Sequence, residues 1–593
     1  MNGRAAPTLT AFALGLLALR WAGAIEAQTP PKASERFKAL YTREWSWRQA
    51  QSSGLDEDAD RADAVRDRFP KVDAATQGER VRYWRAVLKD LSAITVSELS
   101  AEDQVNYAIY RAQVQALEAS TSFRDYEKPF NSDSSFWAEV TGSAQRPLRT
   151  MAEYRGYLRL LADIPRYFGE QIVNMRAGLA RGFSVPRVTL AGRDASIAVV
   201  ADAREPEKNP FYAPFRKLPA AFSAAEQESL KADAVKAIRE SVIPAYTDLL
   251  NFMRDEYMKQ ARVALDAESF PDGKAYYQSK IREFTTLDLT PDAIHKIGLS
   301  EVAKIHEQMI ETMKKTDFKG DFPAFLNFLR TDPQFYAKTK EELLMRAAWI
   351  SKRVDGKLDL MFGHLPRARF TIIPVPDDIA PFYTSGRGGP GVYLVNTYNL
   401  AARPLYNLPA LTLHESTPGH AMQMSLAAEH KEQPEFRQRV YISAYGEGWA
   451  LYCEKLGVAM GIYETPYDHF GMLTYQGWRA ARLVVDTGLH SKGWTREQAL
   501  AYIRDNTALA EHEITTEVDR YIAWPGQALS YYLGEMQIEK SRAEAEAALG
   551  AKFDLRAFHD TVLSLGSVTL PQLEARIHQF IAEGGKPPAH AGQ

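Results

Sequence analysis

The sequence predicts a mainly α-helical fold in two lobes with a small β-sheet, and three observations carry that expectation. From residue 34 to 255, apolar residues recur at three- and four-residue spacing, as in 83–91 and 154–168, the pattern of amphipathic helices packed on one another. Thr290-Pro291-Asp292 is a clean helix start: Thr caps, Pro fills the first helical position and Asp complements the dipole, ahead of Ile294, Ile297, Val302 and Ile305. The texture changes only at residues 368–398. There 369–375 and 392–396 read as strands around a Gly-rich loop, 380–391, before helix returns to the C-terminus. Polar and Pro-containing clusters at 145–147 and 205–214 read as loops. Residues 28–593 are therefore expected to form one helical body, a 28–270 lobe and a 271–593 lobe flanking a deep cleft.

Composition narrows the function classes. With 45% hydrophobic and 25% charged residues, the chain can bury a core against conformational entropy. A net charge of -3 and no long Lys/Arg run offer no nucleic-acid surface. Residues 1–27 read as a secretory signal, with Arg4 before an apolar stretch at 9–19 and a small-residue cleavage site at Ala22-Gly23-Ala24, so a periplasmic or secreted location is expected. No cysteine follows that site to carry a lipid, and no later stretch approaches the roughly 18 apolar residues of a membrane span. Cys453 is the single cysteine, which excludes intramolecular disulfides and cysteine-rich zinc knuckles; in its apolar run it reads as a buried core thiol. Any metal must be held by His, Glu or Asp. Gly386, Gly388 and Gly391 formally match a dinucleotide fingerprint, but that motif must open a helix, and here a β-branched strand follows.

The chemistry concentrates at His414-Glu415-Ser416-Thr417-Pro418-Gly419-His420. A zinc hydrolase needs imidazole or carboxylate ligands, an open position for water and a carboxylate to take that water's proton. Its usual helical form spaces two histidines four apart, about 40° around the helix. Here they are six apart, about 240° on a straight helix, which points them to different faces. Pro418 obstructs the helical path and Gly419 relaxes φ, so one expectation is a kinked helix with a two-residue bulge that restores convergence and leaves Glu415 as general base. The alternative is that Thr417 caps a new helix with Pro418 at its first position and the histidines are unrelated.

Downstream, Gly446-Glu447-Gly448-Trp449-Ala450 sets a carboxylate in an apolar helical run, where it needs a cation or strong hydrogen bonds. Glu447 is the expected third ligand. Glu454, about 10 Å further along the same face by helical rise, cannot share the ion with it; it is the alternative ligand in place of Glu447, or it orients a ligand histidine.

These motifs, with Arg482-Leu483-Val484-Val485-Asp486-Thr487-Gly488-Leu489-His490 and the run from Arg520 through Tyr531-Tyr532-Leu533-Gly534, resemble the bacterial domain-of-unknown-function 885 family. The resemblance covers most of the chain after the leader and is strongest from about residue 370 onward. That family is in turn similar to mostly helical gluzincin zinc peptidases, including the thermostable carboxypeptidases, although the histidine spacing here is longer than theirs. The resemblance implies a gluzincin-like fold with Zn²⁺ on His414, His420 and Glu447, Glu415 as base, and a peptide or small amide substrate. It implies that Tyr531 or Tyr532 supplies a phenol to the oxyanion and that Arg482, Arg520 or His490 steadies that charge or a substrate carboxylate. It also makes residues 392–396 an edge strand for an extended peptide, the alternative being an ordinary strand of a small sheet. Blander readings stand beside these: Arg482 and Asp486, four apart, as a helix-surface pair, and His512, between two glutamates, as a solvated side chain. Two other functions fit the same residues, a metal-dependent amidohydrolase on non-peptide amides and a secreted binding protein that keeps a peptidase fold without turnover. Serine catalysis lacks its G-x-S-x-G elbow.

Overall fold

Apolar periodicity becomes long helices, and the computed structural model describes them over residues 32–51, 67–132, 134–377 and 379–588. The leader expected at 1–27 lies outside those residues. Three helices open the described chain: α1 (Ala33–Gln51), α2 (Ala74–Ser92) and α3 (Ala101–Ser122). The 30-residue α4 (Met151–Ala180) starts at a capping box, in which Thr150 Oγ1 accepts the Glu153 amide at 3.3 Å and Glu153 returns a bond to the Thr150 amide at 2.7 Å. Next, α5 (Pro291–Met313) begins as its cap predicts, with Thr290 Oγ1 accepting the Ala293 amide at 3.2 Å. The fold is mainly helical, and among the described residues no helix is long and apolar enough to cross a membrane.

The buried apolar side chains form two clusters. One is built from Phe69, residues between 130 and 261, and Ala523; the other joins α1–α3 to nearly everything after residue 267. The expected lobe boundary at 270 therefore differs from the division of the cores, because α1–α3 pack with the C-terminal body. Periodicity shows which face of a helix is buried and not which partner buries it.

The sheet has three strands: β1 (Thr371–Pro374), β2 (Gly386–Gly389) and β3 (Val392–Val395), in the order β1-β3-β2. β1 runs parallel to β3, and β2 pairs antiparallel with Gly388 opposite Tyr393. Two expectations change here. Part of the Gly-rich loop is a strand, invisible to propensity because glycine disfavours strands. Consequently β3 is central, with both edges paired, and it cannot be the open edge expected at 392–396; β2 is the edge strand on that side.

After the sheet come α6 (Leu408–Glu415), α7 (His420–Ala427), α8 (Ser443–Ala459), α9 (Pro466–Ser491), α10 (Glu511–Ala523), α11 (Ser530–Leu549) and α12 (Leu570–Ala582). α5 packs along α9, and α8 along α11. The second crossing is close because a Cβ on Gly448 would meet the Gly534 backbone at 2.4 Å and one on Gly534 would meet the Ala444 carbonyl at 1.9 Å.

Candidate metal centre

His414 and His420 lie on different helices, the first one residue from the end of α6 and the second at the start of α7. Between them Ser416 and Gly419 leave helical backbone, with ψ of −120° and −134°, and the Thr417–Pro418 peptide is cis. Neither expected path is followed. The helix does not continue through a bulge, and Pro418 does not open the second helix but sits in the turn ahead of it. Gly419 has an ordinary φ of −72°, so its role is not conformational freedom. It is required by proximity: a Cβ there would lie 1.9 Å from the His414 carbonyl oxygen. The Gly419 amide donates to the Leu413 carbonyl at 3.0 Å, and Trp449 Nε1 on α8 donates to the Pro418 carbonyl at 2.9 Å, which ties the turn to its neighbours. The two imidazoles meet with ring centroids 4.9 Å apart and planes at 84°.

The tight crossing of α8 on α11 helps set Glu447 against this pair. Its Oε2 lies 3.2 Å from His420 Nε2 and 3.5 Å from His414 Nε2. One donor atom from each of His414, Glu415 and His420 lies within 4.8 Å of the others, and all three residues are buried. Glu415 Oε2 accepts the Gly388 amide at 2.6 Å, where β2 passes so close that a Cβ on Gly388 would fall 1.8 Å from the Glu415 carbonyl oxygen. Glu454 does not face the pair. Its Oε1 accepts from His414 Nδ1 at 2.9 Å, on the ring edge opposite Nε2, and Arg479 Nη2 stands 3.8 Å from the same oxygen.

The buried charges of the cluster are paired with one another. Burial alone lowers a histidine pKa, but hydrogen bonds to Glu447 and Glu454 and the charge of Glu415 outweigh it and push His414 up to about 9. Burial raises Glu447, yet the charge of His420 and hydrogen bonds from both histidines overcome it and hold the carboxyl well below its usual range. Three carboxylates thus surround two imidazoles in a buried space, an arrangement stabilised by protons or by a metal. The donor set fits zinc: ligands about 2.0–2.1 Å from a tetrahedral ion stand about 3.3 Å apart, and the two observed separations bracket that value. A second group with metal-like spacing, Glu544, Glu574 and His578, is more exposed, and Lys540 Nζ lies 2.6 Å from Glu574.

The remaining residues singled out by sequence separate into two sets. Tyr531 stacks beside His414, with centroids 6.4 Å apart and planes at 17°. The Arg482 guanidinium lies 4.3 Å over the Tyr531 ring, and Arg520 Nη2 approaches its hydroxyl at 3.4 Å. Arg482 is fully buried, bonded to Glu517 at 2.6 Å and to the Tyr521 hydroxyl at 2.9 Å, so it is not half of a helix-surface pair. Tyr532 instead turns to Glu301 on α5, 3.1 Å away. His490 is away from the cluster as well. Its Nδ1 accepts the Ala267 amide at 3.1 Å and its Nε2 donates to the Tyr521 carbonyl at 2.9 Å, while burial lowers it to about 4, so it is a neutral bridge. Asp486 accepts from the Tyr277 hydroxyl at 2.6 Å and from the Gly526 amide, and burial raises it to about 7. His512 is exposed, and Cys453 is buried with its thiol pushed up by burial.

Two residues at the centre carry no spacing signal. Arg479 is buried beside Glu454, with its guanidinium 3.9 Å over Trp478. Tyr441, just before α8, points its hydroxyl at Glu447 Oε1, 3.3 Å away, although the residue as a whole is 44% exposed. Only the Gly446 gap hints at it: a Cβ there would meet the Tyr441 ring at 2.5 Å.

The fold recurs in solved structures. A candidate lipoprotein from Colwellia psychrerythraea superposes with a TM-score of 0.84 at 27% sequence identity, covering 93% of this chain and 100% of that one. A candidate lipoprotein of unknown function from Shewanella oneidensis shares the fold with a TM-score of 0.65 at 17% identity, over 92% of this chain and 99% of that one. No curated protein matches the sequence. The motifs that pointed to the 885 family are matched by its profile over residues 48–577, and this chain belongs to that family, described as bacterial protein of unknown function (DUF885).

Proposed function

We propose that this protein is a zinc-dependent hydrolase of the gluzincin kind that cleaves peptide bonds. The observation that carries the reading is the position of one Glu447 oxygen 3.2 and 3.5 Å from two imidazole Nε2 atoms, beside a carboxylate, Glu415, that adjoins a ligand histidine. His414, His420 and Glu447 would hold the ion. When bound, zinc supplies Lewis acidity and a water of pKa about 7.

The other roles follow from what each side chain can reach. Glu415 is steadied by the Gly388 amide on Oε2, takes the proton of the attacking water and returns it to the leaving amine. Tyr531 offers a phenol to the developing oxyanion, its ring held against Arg482 and its hydroxyl near Arg520. The edge strand for an extended substrate is β2, whose Gly388 amide already faces the site. Export to the periplasm or beyond is part of the same reading, supported by the leader-like pattern of residues 1–27 and by the Colwellia psychrerythraea relative described as a candidate lipoprotein.

Metal analysis of the purified protein and turnover of a dipeptide and oligopeptide library test the reading, with acylated amino acids included to detect an amidohydrolase. Glu415→Gln is expected to keep one zinc per chain while losing about 10²–10⁴-fold in kcat. Full activity in that variant, or the absence of bindable zinc, overturns it.

A further inference from the structure

A large cavity shares one wall residue, Tyr441, with the surroundings of the metal centre. It has a volume of about 1380 Å³, lies among α1–α3, α12 and the segment between α7 and α8, and Tyr441 is part of its wall. Tyr441 therefore belongs to both spaces, since its hydroxyl reaches Glu447 and its ring centroid lies 6.5 Å from that of His420. Small side chains form part of the wall. Along α3, Ala108, Ala112 and Ala116 fall at four-residue spacing and all line the cavity. Arg439 and Gln572 add polar groups. The volume exceeds the roughly 300–1,000 Å³ of pockets for drug-sized ligands, and the mixed lining suits the alternating amides and side chains of a peptide.

We infer that this cavity is the substrate chamber of the metal centre, taking an oligopeptide of several residues, and that Tyr441 determines how that peptide enters the site. The inference rests on the metallopeptidase reading and names its substrate class. Tyr441 stands at the inner end of the chamber, and its hydroxyl passes from Glu447 Oε1 to a backbone carbonyl of the bound peptide. That exchange is available to it because a phenol donates one hydrogen bond and the present one, at 3.3 Å, is long. Tyr531, only 6% exposed and packed under Arg482, is not a wall of the chamber.

Calorimetric binding of the pentapeptide Tyr-Gly-Gly-Phe-Leu to zinc-loaded Glu415→Gln protein is the test, because it reads occupancy without turnover. Placing Ala112→Trp or Ala108→Trp in that background fills the chamber from α3, which carries none of the proposed ligands, and is expected to weaken binding at least tenfold with zinc content and Tm unchanged. Tyr441→Phe is expected to weaken it about three- to tenfold, the worth of one hydrogen bond. Unchanged affinity in both tryptophan variants, or no binding of the pentapeptide to the parent, overturns the chamber; unchanged affinity in Tyr441→Phe overturns the role of its hydroxyl. If the wild type cleaves peptides and Ala112→Trp does so equally well, the chamber fails and the peptidase reading stands. If the pentapeptide binds and the tryptophans expel it while no peptide is cleaved, the peptidase reading fails alone.

Discussion

His414 Nδ1 donates to Glu454 Oε1 at 2.9 Å, and this one bond orients the imidazole so that Nε2 faces His420 and Glu447. Glu454 is wholly buried, and beyond His414 its partner is the Arg479 guanidinium, at 3.8 Å. A carboxylate behind a ligand histidine fixes its tautomer and raises its basicity. Glu454→Gln is accordingly expected to lower zinc affinity about 10- to 100-fold, measured by competition with a chromophoric chelator. Affinity equal to wild type would remove Glu454 from the account of the site.

Zinc affinity and metal-free stability should move in opposite directions with pH. The folded pKa of His414, about 9, lies above the ordinary value of 6.5, so its contribution to stability is fully present below pH 6.5 and is lost as pH rises through 9. Glu447 runs the other way, contributing above the ordinary carboxylate range and losing that contribution as pH falls through its depressed value. EDTA-treated protein should therefore melt highest at mildly acidic pH and progressively lower toward pH 9. Zinc displaces the His414 proton, so affinity should rise by up to about tenfold per pH unit over the same window and level off above it. A metal-free Tm that climbs from pH 6.5 to 9 would contradict the assignment.

Gly419→Ala tests the turn that joins the two histidines. The added methyl would sit 1.9 Å from the His414 carbonyl oxygen, so α6 and α7 must separate. The expected cost is about 1–3 kcal/mol, read by thermal or denaturant unfolding, with zinc content falling as well. A fully metallated variant with wild-type stability would show that the helices have room to give.

His490→Phe separates structural histidines from ligand histidines. It strands the Ala267 amide and the Tyr521 carbonyl, each now paired with the ring, at about 1–3 kcal/mol per buried group. Tm should fall while bound zinc stays at the wild-type level. Loss of zinc at unchanged stability would instead tie His490 to the centre.

Much of this protein was legible in its sequence, and what was not legible has a common cause. Periodicity and the Thr290-Pro291-Asp292 start announce the helices, because burying one face of a helix imposes its spacing on the chain. The elements that propensity missed were those made of residues with little propensity, such as β2, Gly-rich and paired only because β3 and α6 hold it. At the site, the types and order of His414, Glu415, His420 and Glu447 were visible, and Pro418-Gly419 announced a break in the helix. The path through that break was not visible, since it is set by Gly419 closing on the His414 carbonyl and by Trp449 reaching over from α8. Glu447 was preferred over Glu454 from the sequence; the distances put Glu447 facing the histidine pair and Glu454 behind His414.

Neither spacing nor residue type marks Tyr441 or Arg479, because each matters only through what folds against it. The same holds for Tyr531 and Tyr532. They are neighbours in sequence and point to different partners, His414 for one and Glu301 for the other. On its own the sequence determined the helical class, the family, and the residues able to hold a metal, for these depend on local pattern and donor chemistry. Which of those residues converge was decided only by tertiary packing, because convergence depends on helix crossings such as Gly448 on Gly534 that bring together groups remote along the chain.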